Sequence, residues 1–293
     1  MNERRKQEKK LAMRKIVTLL IVFSALQLTG LAQLPDGVTG TQSFIDLVIK
    51  NYHDEASFPF DPDNVTSHVK IPLEVHVIKN KKGAAGVTEA RIYSSVLQAN
   101  NYFGNIGMSF FVDRIDYVND YNYSFITYNY LKKELLAQFT VRNRINLFLA
   151  DSIQMGREQS YGFTYFPDEP DSNYIYLDKK YLTGNSLTTM LGHFMGLLST
   201  HEIAGGREEA SEKNCSQSGD FICDTYADPG LFNEVIDSCK YIGNARDDAG
   251  KYYIPSVANV MSDSPDKCKC LLTRLQYRRI YYYFFRYRQY LTY

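Results

Sequence analysis

Apolar residues recur every three to four positions along the segment NSLTTMLGHFMGLLSTHE, residues 185–202. This spacing predicts an amphipathic helix. The residues that form its apolar face are Leu187, Leu191, Phe194 and Leu198. Gly196 interrupts the pattern and indicates a sharp turn, after which the chain leaves the helix.

Upstream, alternating apolar and polar residues predict strands, and three-to-four spacing predicts helices. Thr88 is a suitable N-cap for a helix that runs to about residue 103. The expected strands are 71–80, 108–118, 123–130, 145–153 and 173–182, and a second helix is expected over 131–140. This order of elements predicts an α+β layered fold.

Two further regions flank these elements. Residues 33–64 form a polar lead-in with a short amphipathic piece over 43–52, which we interpret as a pro-segment-like or packing arm. Residues 205–231 show neither helical nor strand periodicity, and the apolar and Arg/Tyr pattern of 272–291 predicts a final helix. We therefore expect one folded domain over 65–293.

The N-terminus has the pattern of a secretion signal. Basic residues dominate 1–15, the run 16–32 is uncharged, and Gly30 and Ala32 are small residues suited to cleavage after Ala32. The alternative is an uncleaved membrane anchor, which would be the chain's only membrane contact.

Without residues 1–32 the chain holds 26 basic and 31 acidic residues, a net charge of about −5 that does not favour nucleic-acid binding.

All five cysteines lie between Cys215 and Cys270. Export together with clustering favours disulfides over a metal site. The spacing of Cys268 and Cys270 is too tight for a zinc knuckle. The odd number leaves one thiol free or paired between chains, and the sequence leaves the connectivity open.

The segment 185–202 resembles the zinc-binding helix of metzincin proteases, H-E-x-x-H-x-x-G-x-x-H. In that motif three His bind zinc, and the Glu polarises the zinc-bound water. With His193 as the second His and Gly196 as the Gly, Thr189 occupies the first-His position, Met190 the general-base position and Ser199 the third-His position. The residues that resemble the pappalysin branch in particular are Gly192, Phe194, Leu197, Thr200 and Glu202.

The resemblance continues to the C-terminus. The segment 218–231 looks like the loop that follows the pappalysin zinc helix, and Met261 corresponds to the methionine of the Met-turn, the turn that lies beneath the metal. Asp263 stands where the family usually has a Tyr that assists catalysis. The resemblance implies an upper subdomain with a mixed twisted sheet and two helices, and a loop-rich lower subdomain with the Met-turn and a C-terminal helix.

The resemblance also implies two disulfides between the post-helix loop and the region around Met261. Their candidate cysteines are Cys215, Cys223, Cys239 and Cys268, with Cys270 as the odd thiol.

The chemistry expected of a metzincin is largely missing. A catalytic zinc takes three protein ligands and a water, and hydrolysis needs a nearby base. We therefore predict no catalytic residue and no resident cofactor. The alternative is a rearranged zinc site that uses His193 and His201 with Glu202, whereas the simpler interpretation of His193 is a buried, hydrogen-bonded histidine.

Other single residues are interpreted more plainly. His76 is expected to be a structural histidine on the polar face of its strand. Four aspartates in loops could bind calcium but more often form turns; they are Asp247, Asp248, Asp263 and Asp266.

These observations lead to three hypotheses. The first is an exported, inactive pappalysin-like protein that binds a polypeptide through the former substrate cleft as a binding or scaffold protein, because an edge strand can pair with an extended peptide. The second is an active zinc endopeptidase with rearranged ligands. The third is an extracellular or periplasmic structural or adhesion component without a ligand.

Overall fold

The structure is a computed structural model that describes residues 38–39, 41–65, 68–127, 133–155, 158–168 and 172–292. The predicted leader, 1–32, lies outside the described residues and stays a prediction. Within the described residues, no helix is both long and apolar enough to cross a membrane.

Strands and helices alternate irregularly along the chain. The strands are β1 (Val38–Thr39), β2 (Val69–Ile78), β3 (Met108–Val118), β4 (Phe125–Thr127), β5 (Ile145–Ala150), β6 (Ser152–Met155), β7 (Glu158–Ser160), β8 (Gly162–Tyr165), β9 (Tyr174–Asp178), β10 (Val235–Ile236) and β11 (Lys240–Tyr241). The helices are α1 (Thr41–Ser57), α2 (Glu89–Phe103), α3 (Lys133–Phe139), α4 (Ser186–Phe194) and α5 (Arg274–Tyr283).

The main sheet has six strands in the order β1-β8-β9-β5-β2-β3. Its pairings are parallel except that β8 runs antiparallel to β9. A smaller sheet contains β4, β6 and β7. This mixed sheet with a few helices confirms the predicted α+β class.

The centre of the sheet is covered on both faces. On one face Leu73 and Val75 pack in a core cluster that also holds residues of α2 and α4. On the other face Ile78 and Phe148 pack with residues of α3 and β6. This second layer explains why β2 is buried at nearly every position although its sequence alternates.

His76 lies on the second face and is fully buried, whereas the sequence placed it on a polar face. Its Nε2 lies 3.1 Å from the Asn146 Oδ1, and its ring stacks on Phe148 at 4.5 Å between centroids. Burial lowers the pKa of His76. His76 is therefore a structural histidine, but it lies in the core and not on a polar strand face.

The lead-in segment packs as part of the fold. Helix α1 buries Phe44 and Val48 in a cluster with residues of α5, including Tyr283. The Arg279 guanidinium donates to the Glu55 carboxylate at 3.0 Å, and both side chains are buried. The interpretation of 43–52 as a packing arm therefore agrees with these contacts.

Several boundaries differ from those expected. The run 145–153 is divided at Asp151 into β5 and β6, which belong to different sheets. Strand β9 ends at Asp178, whose side chain caps a 3-10 turn over Lys179–Tyr181. The final helix is α-helical only to Tyr283 and continues as a π-helical turn over Phe284–Arg288. The short strands β7, β8, β10 and β11 were not predicted.

Candidate functional site

Helix α4 is buried at every position from Leu187 on and is therefore not amphipathic as predicted; it ends at Phe194, so Leu198, which was expected on its apolar face, lies beyond the helix. Gly196 has φ of +96°, a conformation that side chains with a Cβ rarely adopt, and it directs the chain away from the helix axis. Gly192 faces the Met261 side chain so closely that a Cβ at this position would lie 2.6 Å from the sulfur atom. The helix and the segment around Met261 are therefore in direct contact, and the assignment of Met261 to a Met-turn stays a prediction.

His193 is completely buried on this helix. Its Nδ1 lies 2.7 Å from the Leu197 carbonyl oxygen, which can only accept, so Nδ1 carries the proton. Burial lowers the pKa of His193 to about 4, so the ring is neutral at pH 7. Its Nε2 has no hydrogen-bond partner among the described residues.

The other three positions of the zinc motif do not fit the metal. The Thr189 hydroxyl lies 3.1 Å from the carbonyl oxygens of both Asn185 and Val260, which share its single proton. Met190 is fully buried in the core cluster and has no basic atom for a water proton. Ser199 is also buried, and a neutral hydroxyl is a weak zinc ligand. One imidazole nitrogen remains where the family motif supplies three and a carboxylate.

A different set of ligand atoms converges just beyond the turn. One ligand atom from each of His201, Asp228 and Asp263 lies within 4.8 Å of the other two. No other group of three or more His, Cys, Asp or Glu side chains with that spacing is found among the described residues. His193 is not a member of the group. The Nδ1 of His201 lies 4.0 Å from the Asp263 Oδ1.

Both carboxylates of this group are held by other hydrogen bonds. Asp228 accepts from the Thr200 hydroxyl at 2.6 Å and from the Gly230 N–H at 2.8 Å. Asp263 accepts from the N–H groups of Leu231 and Phe232. Asp228 was not singled out in the sequence, because Asp-Pro-Gly is an ordinary turn pattern.

Glu202 points elsewhere. Its Oε1 accepts the backbone N–H groups of Ile203 and Ala204 at 2.8 and 2.7 Å, and the residue is buried. It therefore stabilises the turn that follows α4. This geometry differs from the role of zinc ligand that the rearranged site would give Glu202.

Two of the four loop aspartates considered for calcium organise turns and segment contacts. Asp247 accepts the N–H groups of Lys251 and Ala210, and Asp266 accepts the N–H of Asn185 at the start of α4. Asp248 is exposed. Of the four, Asp263 belongs to the three-residue group described above.

A second pair of buried acids, Glu208 and Asp220, was also missed in the sequence. Burial raises the pKa of Glu208 to about 8 and that of Asp220 to about 7. Neither Glu208 carboxylate oxygen has a hydrogen-bond partner among the described residues. Both acids are therefore protonated over part of the neutral pH range.

The four candidate cysteines form two disulfides, Cys215–Cys223 and Cys239–Cys268, and Cys270 is free and exposed. Only Cys239–Cys268 joins the loop region to the turn that follows Met261. Cys215–Cys223 closes a short loop within the post-helix segment, whereas the resemblance implied that both bridges would reach the Met-turn region.

Strand β8 lies next to α4 as the second strand of the main sheet, with the short edge strand β1 outside it. The Met190 sulfur lies beneath this strand, 3.4 Å from where a Cβ on Gly162 would be. On the outer side of β8, the Ser160 hydroxyl donates to the Gly162 carbonyl and lies 3.2 Å from its N–H. Farther along, β1 pairs in parallel with Thr164 and Tyr165.

No protein-family model and no curated protein matches the chain. Among solved structures, the chain is similar to Tannerella forsythia mature mirolysin in complex with a cleaved peptide, with 20% identity, a TM-score of 0.55, and coverage of 73% of this chain and 91% of that one. It is also similar to mirolysin in complex with an added compound, with 19% identity, a TM-score of 0.53, and coverage of 75% and 92%. A promirolysin mutant from T. forsythia is 16% identical, with a TM-score of 0.51 and coverage of 81% and 86%. The chain therefore has the fold of mirolysin.

Proposed function

We propose that this protein is an exported, pappalysin-like pseudoprotease that binds extended polypeptides along β8 and does not cleave them. The observation that carries the proposal is the replacement of the catalytic set: Thr189 donates to backbone carbonyls, and Met190 is buried in the core. Such a site lacks the ligands and the base that hydrolysis by the family mechanism requires.

The scaffold around the lost chemistry supports binding. An exposed sheet edge recognises peptides through main-chain hydrogen bonds, independently of a metal. Strand β8 lies directly above α4, and mature mirolysin, which has the same fold, has been solved with a cleaved peptide. Two disulfides are compatible with an oxidising, extracellular or periplasmic location.

The chain's own β1 is the edge strand outside β8, so a peptide could pair with Thr164 and Tyr165 only after β1 is displaced. Because β1 contributes only Val38 and Thr39, its pairing with β8 is short, and an incoming peptide would compete with it. We therefore expect peptide affinity to depend on how firmly β1 is held.

The test measures capture and cleavage on the same sample. Fluorescein-labelled unfolded casein is incubated with the protein; binding is read by anisotropy and cleavage by gel electrophoresis, with and without a chelator. We expect binding without cleavage in both conditions. Cleavage that the chelator abolishes would refute the proposal, and the absence of both would favour a structural or adhesion component.

A matched pair of variants tests the role of β8. Val38→Pro with Thr39→Pro removes backbone N–H groups that a strand uses for pairing, whereas Val38→Ala with Thr39→Ala keeps them. Release of β1 should strengthen casein binding several-fold in the proline variant only. Equal affinity in both variants would show that peptides bind elsewhere.

One observation favours the second candidate, a zinc endopeptidase with rearranged ligands. The group of His201, Asp228 and Asp263 is a possible ligand set. His193 does not belong to this group, and the Glu202 carboxylate accepts a backbone N–H instead. Chelator-sensitive cleavage that is lost in His201→Gln would establish this candidate.

A further inference from the structure

We propose that His201, Asp228 and Asp263 form a binding site for a divalent transition-metal cation, such as Zn²⁺, at a position distinct from the zinc motif of α4. The proposal does not depend on peptide binding. It rests on the convergence of three ligands, one imidazole and two carboxylates, from three separate segments: the turn after α4, the post-helix loop, and the segment after Met261.

The spacing is compatible with one shared ion after small side-chain movements. Ligand atoms around zinc lie about 2.0–2.2 Å from the metal. In a tetrahedral site two such ligands are separated by about 3.4 Å, whereas the ligand atoms of this group lie within 4.8 Å of one another, so the side chains would have to close by up to about 1.4 Å. The His201 Nδ1 and the Asp263 Oδ1 are 4.0 Å apart.

The donor set selects the class of ion. Two carboxylates supply two negative charges, and a neutral imidazole supplies a nitrogen. Imidazole suits zinc and its transition-metal neighbours, whereas calcium and magnesium prefer oxygen ligands. A divalent transition-metal cation would neutralise the two acids and use all three donors.

The carboxylates are held before any ion binds. The Thr200 hydroxyl and the Gly230 N–H orient Asp228, and two backbone N–H groups orient Asp263. Hydrogen bonds of this kind fix ligand orientation in metal sites. A carboxylate oxygen has several lone pairs, so it can accept these bonds and still bind a metal.

The group is also accessible. The His201 and Asp263 side chains are 16% and 18% exposed, whereas Asp228 is deeply buried. An ion can therefore enter from the side of His201, and water can complete its coordination. A three-ligand site with an open position differs from the closed, four-ligand pattern of a purely structural zinc.

The first test measures zinc binding to the chelator-treated protein by isothermal titration calorimetry, with ZnCl₂ as the titrant and CaCl₂ as the comparison. We expect one zinc per chain and much weaker binding of calcium. Loss of an outer-sphere partner alone typically weakens metal binding by about tenfold or more. Because His201→Gln removes a ligand itself, it should weaken zinc binding by at least about tenfold. His53→Gln, the same change at an exposed histidine on α1, should leave it unaltered.

Three results would overturn the proposal: no zinc binding, equal losses in both histidine variants, or zinc binding that persists in folded His201→Gln. A measurement on the wild-type protein covers the case in which that variant does not fold. Diethyl pyrocarbonate modifies accessible histidines, and mass spectrometry locates the modified residue. Zinc should protect His201 and leave His53 reactive; modification of His201 that zinc does not change would equally contradict the site.

Discussion

The hydroxyl of Thr189 donates to the carbonyl oxygen of Val260 across 3.1 Å. This bond joins helix α4 to the segment that carries Met261, at the position where the zinc motif has its first His. The Thr200 N–H donates to the Met261 carbonyl at 3.1 Å and fixes the same segment from the other side of the turn. Protein contacts thus fix the segment around Met261 against α4 and against the turn that follows it.

Restoring the motif tests the alignment of α4. The combined change Thr189→His, Met190→Glu and Ser199→His, made with His201→Gln, should give one zinc per chain by elemental mass spectrometry. Without zinc the variant should be destabilised by several kcal/mol, because a carboxylate would replace the buried Met190 side chain. Zinc should recover much of that loss in thermal unfolding.

The control for this experiment is Met190→Glu with His201→Gln, which adds the acid without the two imidazoles. It should be destabilised similarly and should gain no zinc. A folded restoration variant that binds no zinc would show that Thr189, His193 and Ser199 do not share the motif's geometry.

Local patterns explain why much of the scaffold could be predicted. Helix α2 begins after Thr88, whose hydroxyl accepts the Arg91 N–H, so its start is encoded within four residues. Strand β3 spans 108–118 as expected, because its pattern is set by its own sequence. The turn at Gly196 could be predicted for the same reason, because its backbone conformation favours glycine.

Long-range pairing explains what could not be predicted. Strand β8 has four residues, one of them glycine, and is extended because it pairs with β9. The group of His201, Asp228 and Asp263 depends on where two loops return to the helix, and no periodicity records that. The zinc-motif positions could be named from sequence, but the carbonyl partner of Thr189 could not.

The two disulfides should stabilise the fold unequally. Cys239–Cys268 spans 29 residues and Cys215–Cys223 spans 8. Because cross-linking a longer loop removes more entropy from the unfolded chain, replacing the first pair by serine should cost roughly 3.5 kcal/mol and the second roughly 2.5 kcal/mol. Urea unfolding measures both, and Cys270→Ser, at the exposed free thiol, is the neutral control. The opposite order would indicate that strain or unfolded-state structure outweighs loop length.

The ion pair between Glu55 and Arg279 should couple α1 to α5. Arg279 also donates to the carbonyl oxygens of Asp220 and Phe221, so its loss leaves several buried acceptors without a partner. Arg279→Ala should lower the free energy of unfolding by about 3–5 kcal/mol. The double variant Glu55→Gln with Arg279→Met should be less unstable, since no buried charge is left unpaired. A cost below 1 kcal/mol for Arg279→Ala would show that α1 contributes little to the domain.

Glu208 should make the fold less stable as the pH rises. Its pKa is about 8 in the folded chain, raised from 4.5 by burial, so the folded state binds its proton more tightly than the unfolded state. Near pH 4.5 and below, both states are protonated and there is no penalty. Between about pH 4.5 and 8 the penalty grows by up to about 1.4 kcal/mol per pH unit, and above pH 8 it is constant.

Glu208→Gln mimics the protonated acid and should remove this slope, so the variant should equal the wild type near pH 4.5 and exceed it in stability at pH 8. Glu209→Gln makes the same charge change at an exposed neighbour and should leave the slope intact. Urea unfolding from pH 4.5 to 8.5, in the presence of a chelator so that no cation neutralises the acids, gives both curves. Because Asp220 is also buried with a raised pKa, part of the slope should survive in Glu208→Gln and decrease further when Asp220→Asn is added. Parallel curves for the wild type and Glu208→Gln would mean that Glu208 ionises in the folded chain as readily as in the unfolded one.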